Sequence, residues 1–173
     1  EQCRTSRLTW QSHTQMRWLA ELRNDIAADD ELGDTTLAAN DPVVIDFDPP
    51  WQCQSVFGLV QGVTGVDFLT LTSLEEAIEI ARSVGVEIGE NHTYSSVGAV
   101  ALHIMDELVI PTLIQPTFLV DYPFAECPWA KRHRHDPRLA ENAELIINGI
   151  RFAVAYTEQN DPREYVHHFA RSS

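Results

Sequence analysis

"AELIINGIRFAVAYTEQNDP", residues 143–162, reads as two strands folded about one tight turn. Apolar and polar residues alternate through 143–147 and again through 150–158, the period that gives a strand two different faces. Between the runs stands Asn148-Gly149, a pair that tolerates positive φ at both central positions of a type I′ turn. The second run carries two charges that need explaining. By simple alternation Phe152, Val154, Tyr156 and Glu158 share one face, while Arg151, Ala153, Ala155 and Thr157 share the other. A carboxylate closing an apolar face can fix a ligand cation, because a low dielectric strengthens the pairing. Glu158 is equally readable as a solvated strand end or as the partner of an arginine.

Outward from the hairpin, "TFLVDYP" (117–123) predicts a strand, and "PVVIDF" (42–47) predicts a short buried one ended by the prolines of "DPPW". Residues 14–28 place Met16, Leu19, Leu22 and Ile26 at helical spacing. Ser73 predicts the cap of "LEEAIEIARSVG", with Glu76 at capping-box spacing and Gly85 as the stop. A third helix is expected from Ser95 to Val109, before Pro111 and Pro116, and a fourth begins at Asp161-Pro162. Strands that follow one another without helices between them predict an α+β fold: an antiparallel sheet flanked by helices. One domain is expected over residues 1–173, with the acidic stretch 29–42 as its mobile loop.

Composition narrows the function classes. The mean hydropathy is −0.19, and the longest apolar stretch, Val97–Ile110, is broken by His103, Asp106 and Glu107. It is too short and too charged to span a membrane. No secretory leader is expected, and three widely spaced cysteines, Cys3, Cys53 and Cys127, suit free thiols in a reducing, cytoplasmic setting. A net charge of −14 argues against a surface that coats nucleic acid. Four of the 12 basic residues nevertheless gather in "KRHRHDPR": Lys131, Arg132, Arg134 and Arg138. That loop reads as a solvated surface, or as a phosphate or RNA contact made by Lys131, Arg132 and Arg134. His133/His135 and His167-His168 lack an acid or cysteine at metal-ligand spacing, so no structural metal is expected. No nucleophile elbow, phosphate-binding Gly-Lys loop or dinucleotide fingerprint is present. The four tryptophans, Trp10, Trp18, Trp51 and Trp129, read as core or interface anchors.

The ordered series Pro116-Thr117-Phe118, Asp121-Tyr122-Pro123, Pro128, Ala130-Lys131, Glu144-Leu145, Asn148-Gly149, Ala153, Ala155-Tyr156, Glu158 and Asn160-Asp161-Pro162 resembles the later part of the catalytic domain of class II lysyl-tRNA synthetases. The resemblance covers residues 116–162 and extends more loosely upstream. It implies a fold that binds ATP, Mg²⁺ and lysine, forms lysyl-adenylate and transfers lysine to tRNA. It also implies that Glu158 receives the lysine ε-ammonium, with Tyr156 and Asn160 beside it in the amino-acid site, and that Glu144 belongs to the ATP–metal site.

The same resemblance exposes departures. Arg151 stands where the family has its second metal-binding acid, and a fixed cation there opposes Mg²⁺. Val154 replaces a substrate-holding Asn, Asn142 replaces an Arg, and in the loose N-terminal alignment Thr9 and Gln11 replace a pocket Glu and Tyr. The family's first motif, the arginine-bearing core of its second, its third motif and its anticodon-binding domain have no counterpart in residues 1–173. Without those positive groups ATP chemistry loses its charge stabilisation. The expectation is therefore a domain inactive by itself, serving as an amino-acid-binding, regulatory or interaction module with a protein partner or a second copy. The alternative is a part of an active lysine–tRNA ligase completed by segments elsewhere, supported by the retained Glu144 and Glu158.

Overall fold

The computed structural model describes residues 43–89 and 93–171. The expected helix at 14–28, the loop at 29–42, and Cys3, Thr9 and Gln11 lie outside the described residues. Residues 46–173 group into one compact unit, and of the unit before it only 43–45 are described.

The elements run β1 (Gln52–Ser55), α1 (Val56–Thr64), α2 (Leu74–Ser83), α3 (Val97–Ile104), β2 (Thr117–Pro123), β3 (Leu139–Ile147), β4 (Ile150–Tyr156) and α4 (Pro162–Arg171). The strands form one four-stranded sheet in the order β1-β2-β3-β4. The α+β class stands, but the sheet is mixed rather than antiparallel throughout, because β1 runs parallel to β2. The crossover from Ser55 to Thr117 contains three helices and returns the chain to the end from which it started, as a parallel pair requires. The other two pairings are antiparallel. At the β3–β4 connection Asn148 has φ 51° and Gly149 φ 73°, the double positive φ expected of this turn.

Residues 43–48 form no strand, and Phe47 is exposed. The edge strand lies further on, at the polar Gln52–Ser55, which owes its conformation to pairing with β2 rather than to its own composition. Helix α1 was not anticipated. Helix α2 begins as expected: Ser73 Oγ accepts from the Glu76 amide at 3.2 Å, acids fill the first turn and Arg82 the last. Its end is marked by Gly85 at φ 95°. Helix α3 starts under Ser96, whose Oγ accepts from the Ala99 amide at 3.1 Å. Past Ile104 it widens into a π turn, Met105–Val109, and closes in a 3₁₀ turn, Ile110–Thr112. Pro111 supplies no N–H to continue a regular ladder, so the expected helix to Val109 ends in a different winding.

One face of the sheet packs under the helices. Thr117 and Leu119 of β2 and Ile146 of β3 lie on it, all buried with Val56, Val60, Phe68, Val100, Ile104 and Met105. Glu144 and Asn142 continue that face along β3. The other face carries Phe118, Val120, Ala143 and Leu145, none of them buried, with Phe118 against Trp51 at 5.8 Å between ring centroids.

Candidate functional site

The pairing of β3 with β4 contains an irregularity that relocates a charge. Ile146 faces Arg151 whereas Leu145 faces Ala153, so β4 carries Phe152 as an extra residue, a β-bulge. Register then places Arg151 on the face of Glu144, Val154 and Tyr156, opposite to what uninterrupted alternation predicts. Arg151 Nε donates to Glu144 Oε2 at 2.8 Å, and Nη2 donates to Asp106 Oδ1 at 2.5 Å. Asp106 belongs to the π turn, so one guanidinium joins β3, β4 and the helical layer. Partial burial works against the Arg151 cation, but the hydrogen bonds and charges of Asp106, then Glu144, outweigh it and raise its pKa.

Glu144 also acts on its buried neighbours. The Tyr122 hydroxyl is buried toward it without a well-formed hydrogen bond, and burial first, then the Glu144 charge, push the phenol up. The Cys127 thiol is pushed up to about 12 by burial, with Glu144 and Glu126 adding to the effect. Beside Glu144 on β3, Asn142 is buried with neither side-chain amide atom hydrogen-bonded among the described residues.

At the far end of β4 the sheet opens to admit the basic loop. Lys131 N donates to Thr157 O and Glu141 N donates to Lys131 O, each at 2.8 Å. Gln159 N donates to Trp129 O at 2.8 Å, and Ala130 bridges Glu158. Gln159 is buried with its side chain on Ala130 O at 3.4 Å, which anchors the segment beneath Glu158. Glu158 itself is exposed, and among the described residues its carboxylate has no hydrogen bond or ion pair. Alternation from Tyr156 returns its side chain to the Tyr156 face, where the Tyr156 and Trp129 rings lie 6.4 Å apart at 60°. Both rings are 42% exposed, two open aromatic surfaces at the end of β4 that carries Glu158. Asn160 is exposed just beyond.

The structure thus brings Tyr156, Glu158 and Asn160 to one end of β4 and Glu144 with Arg151 to the other. The basic loop joins the Glu158 end through the Lys131 backbone, and its arginines turn to acids of their own. Arg132 forms a fork on Glu164 with contacts of 3.2 and 3.1 Å, donates to Pro137 O at 3.0 Å and lies 3.9 Å over the Phe124 ring. Arg134 Nε donates to Glu141 Oε1 at 2.8 Å, which holds Glu141 down at about 2 with help from Thr157. Arg138 is paired with Asp136 at 2.7 Å. Of the three residues read as a phosphate or RNA contact, Lys131 alone has no ion pair among the described residues. His133 and His135 stack edge to face at 5.6 Å, while the side chains of His167 and His168 lie outside the description. A hollow of ≈ 540 Å³ beside the β3–β4 pair is lined by residues that include His133, Arg134, Glu141, Asn142, Ala155, Tyr156 and Thr157.

Three of these features escaped the sequence reading. Asp106 was visible as a charge interrupting an apolar run, but its partner lies 45 residues away. The bulge and the orphaned amide of Asn142 leave no local signature.

The family described as tRNA synthetases class II (D, K and N) matches residues 8–173. A lysine–tRNA ligase of Thermosynechococcus vestitus is 41% identical over 118 residues, 68% of this chain and 23% of that protein. One from Pelotomaculum thermopropionicum is 37% identical over 150 residues, 87% of this chain and 29% of that protein. One from a Roseiflexus species is 36% identical over 154 residues, 89% and 30%. The chain therefore spans less than a third of the length of these relatives. With a family match over nearly its whole length, the chain belongs to the class II (D, K and N) tRNA synthetases, as a lysyl-tRNA synthetase-like domain.

Proposed function

We propose that this domain binds a ligand ammonium, lysine or a close analogue, at Glu158, and that by itself it serves as a binding or regulatory module rather than as an ATP-dependent ligase. The observation that carries the reading is the exposed Glu158, whose carboxylate has no hydrogen bond or ion pair among the described residues, at the end of β4 that also holds Tyr156, Asn160 and, across the Ala130 bridge, Trp129. An anion beside apolar and aromatic surface attracts a cation more strongly than one fully in water, and the rings offer their faces to the same charge. The relatives' names supply the amino acid: they are lysine–tRNA ligases.

The residues present do not fit a divalent metal. Glu144 is already neutralised by Arg151, which stands where the family's second metal acid is expected, and Val154 offers no polar atom to a substrate. No step through Mg²⁺ or ATP follows from such a site. Arg132 and Arg134, each committed to an acid of the same chain, do not favour tRNA as a partner. Among the described residues no helix is long and apolar enough to cross a membrane. A second reading, a portion of an active lysine–tRNA ligase completed by segments elsewhere, is favoured by the retention of Glu144 and Glu158 together.

A thermal-shift panel tests the ligand class. Lysine and ornithine should raise the midpoint, whereas norleucine, which lacks the terminal ammonium, should leave it unchanged. Equal shifts for norleucine and lysine would remove Glu158 from the reading.

A further inference from the structure

The Glu144–Arg151–Asp106 bridge is assembled from three elements, and the bulge at Phe152 makes it feasible. Without that extra residue Arg151 would project from the other face of the sheet, away from both acids. With it, one guanidinium reaches a carboxylate on β3 and another on the π turn at 2.8 and 2.5 Å. Among the described residues no group of three or more His, Cys, Asp or Glu is placed to hold a metal. A guanidinium is a cation that keeps its proton throughout the physiological range, and its fork of donors can satisfy two carboxylates in one plane.

We propose that Arg151 takes the place of a divalent metal in this domain. It neutralises Glu144 and Asp106 and ties the start of β4 to the helical layer, so that the domain is ordered without a metal ion. This role does not depend on the ligand assigned to Glu158. The site is also convertible. Arg151→Glu would set a third carboxylate beside Glu144 and Asp106, an all-oxygen donor set of the kind that Mg²⁺ and Mn²⁺ prefer.

The test is Mn²⁺ binding to the 173-residue chain, read from the electron paramagnetic resonance signal of free Mn²⁺, together with thermal unfolding in EDTA and in Mn²⁺. The native chain should leave Mn²⁺ free and unfold at the same temperature in both solutions. Arg151→Glu should unfold earlier in EDTA, recover its midpoint in Mn²⁺ and bind the ion at least about tenfold more tightly, since a repelling charge has become an attracting one. Arg151→Gln keeps hydrogen-bond donors while removing the charge, and should show a smaller gain if the Glu variant fails to fold. Stoichiometric Mn²⁺ binding by the native chain that disappears in Glu144→Gln would overturn the proposal, as would equal affinities in the native chain and Arg151→Gln.

Discussion

At Glu158 and Arg151 opposite charges seven positions apart on the same stretch of chain meet opposite fates. Arg151 finds two acids, while Glu158 finds no cation among the described residues. The difference is one of surroundings. The start of β4 lies against the π turn, which supplies Asp106, whereas the chain beyond its end pairs with Trp129–Lys131, which supplies aromatic surface and backbone. Cys127 is a further single-residue case. Its pKa, pushed up to about 12, leaves little thiolate at neutral pH. A thiol reagent at pH 8 should therefore modify Cys127 only as fast as the domain unfolds, while the exposed Cys53 reacts at once. Mass mapping of the labelled cysteines checks this, and early modification of Cys127 would contradict its burial. At Gly98 a Cβ would come within 2.6 Å of the Pro123 Cβ, so Gly98→Ala should cost roughly 1–3 kcal/mol in a denaturant titration.

Among the elements, the β3–β4 hairpin was legible because its signals are local: two alternating runs and Asn148-Gly149 between them. The αL conformation at Gly149 penalises any Cβ, so Gly149→Ala should lower stability by about 1–2 kcal/mol without changing the register. Helix α2 was legible for the same reason, and Ser73→Ala should cost about 1 kcal/mol through loss of its cap. The bulge was not legible. It depends on which residue of β3 each residue of β4 faces, and Phe152 looks like any other apolar position of an alternating strand. Its effect was decisive nonetheless, because the face assigned to Arg151 reversed. Strand β1 was missed because four polar residues become a strand only once β2 lies beside them. The apolar 42–47 segment attracted the assignment instead.

For the whole unit, the α+β class was readable from the order of elements, while the mixed sheet was not, because a three-helix crossover can return to either edge in either sense. The candidate site was half readable. Glu158, Tyr156 and Asn160 are neighbours in sequence and so neighbours in space, but Asp106 reaches Arg151 only through the packing of the helical layer. That layer rests on Ile146, fully buried in the core, and Ile146→Ala should cost about 2–5 kcal/mol. Acid sensitivity is also a property of the whole. Arg138, Arg134 and Arg163 hold Asp136, Glu141 and Asp161 at about 2, against ordinary values of 3.8, 4.5 and 3.8. A carboxylate with a lowered folded pKa stabilises the fold above its unfolded value and loses that contribution as pH falls toward the folded one. The melting temperature should therefore fall between about pH 4.5 and pH 2, and Glu141→Gln should flatten part of that fall. A midpoint unchanged from pH 5 to pH 2 would show that these surface pairs contribute nothing.

The most direct measurement is a calorimetric titration of the 173-residue chain with L-lysine, with and without Mg-ATP, alongside Glu158→Ala. Lysine should bind, its affinity should be indifferent to Mg-ATP, and the variant should bind roughly 10- to 100-fold more weakly, the 1.5–3 kcal/mol typical of hydrogen bonds to charged groups. Identical lysine affinity in the native chain and the variant would contradict a ligand ammonium at Glu158, and lysine binding that appears only with Mg-ATP would contradict the metal-free reading of Arg151.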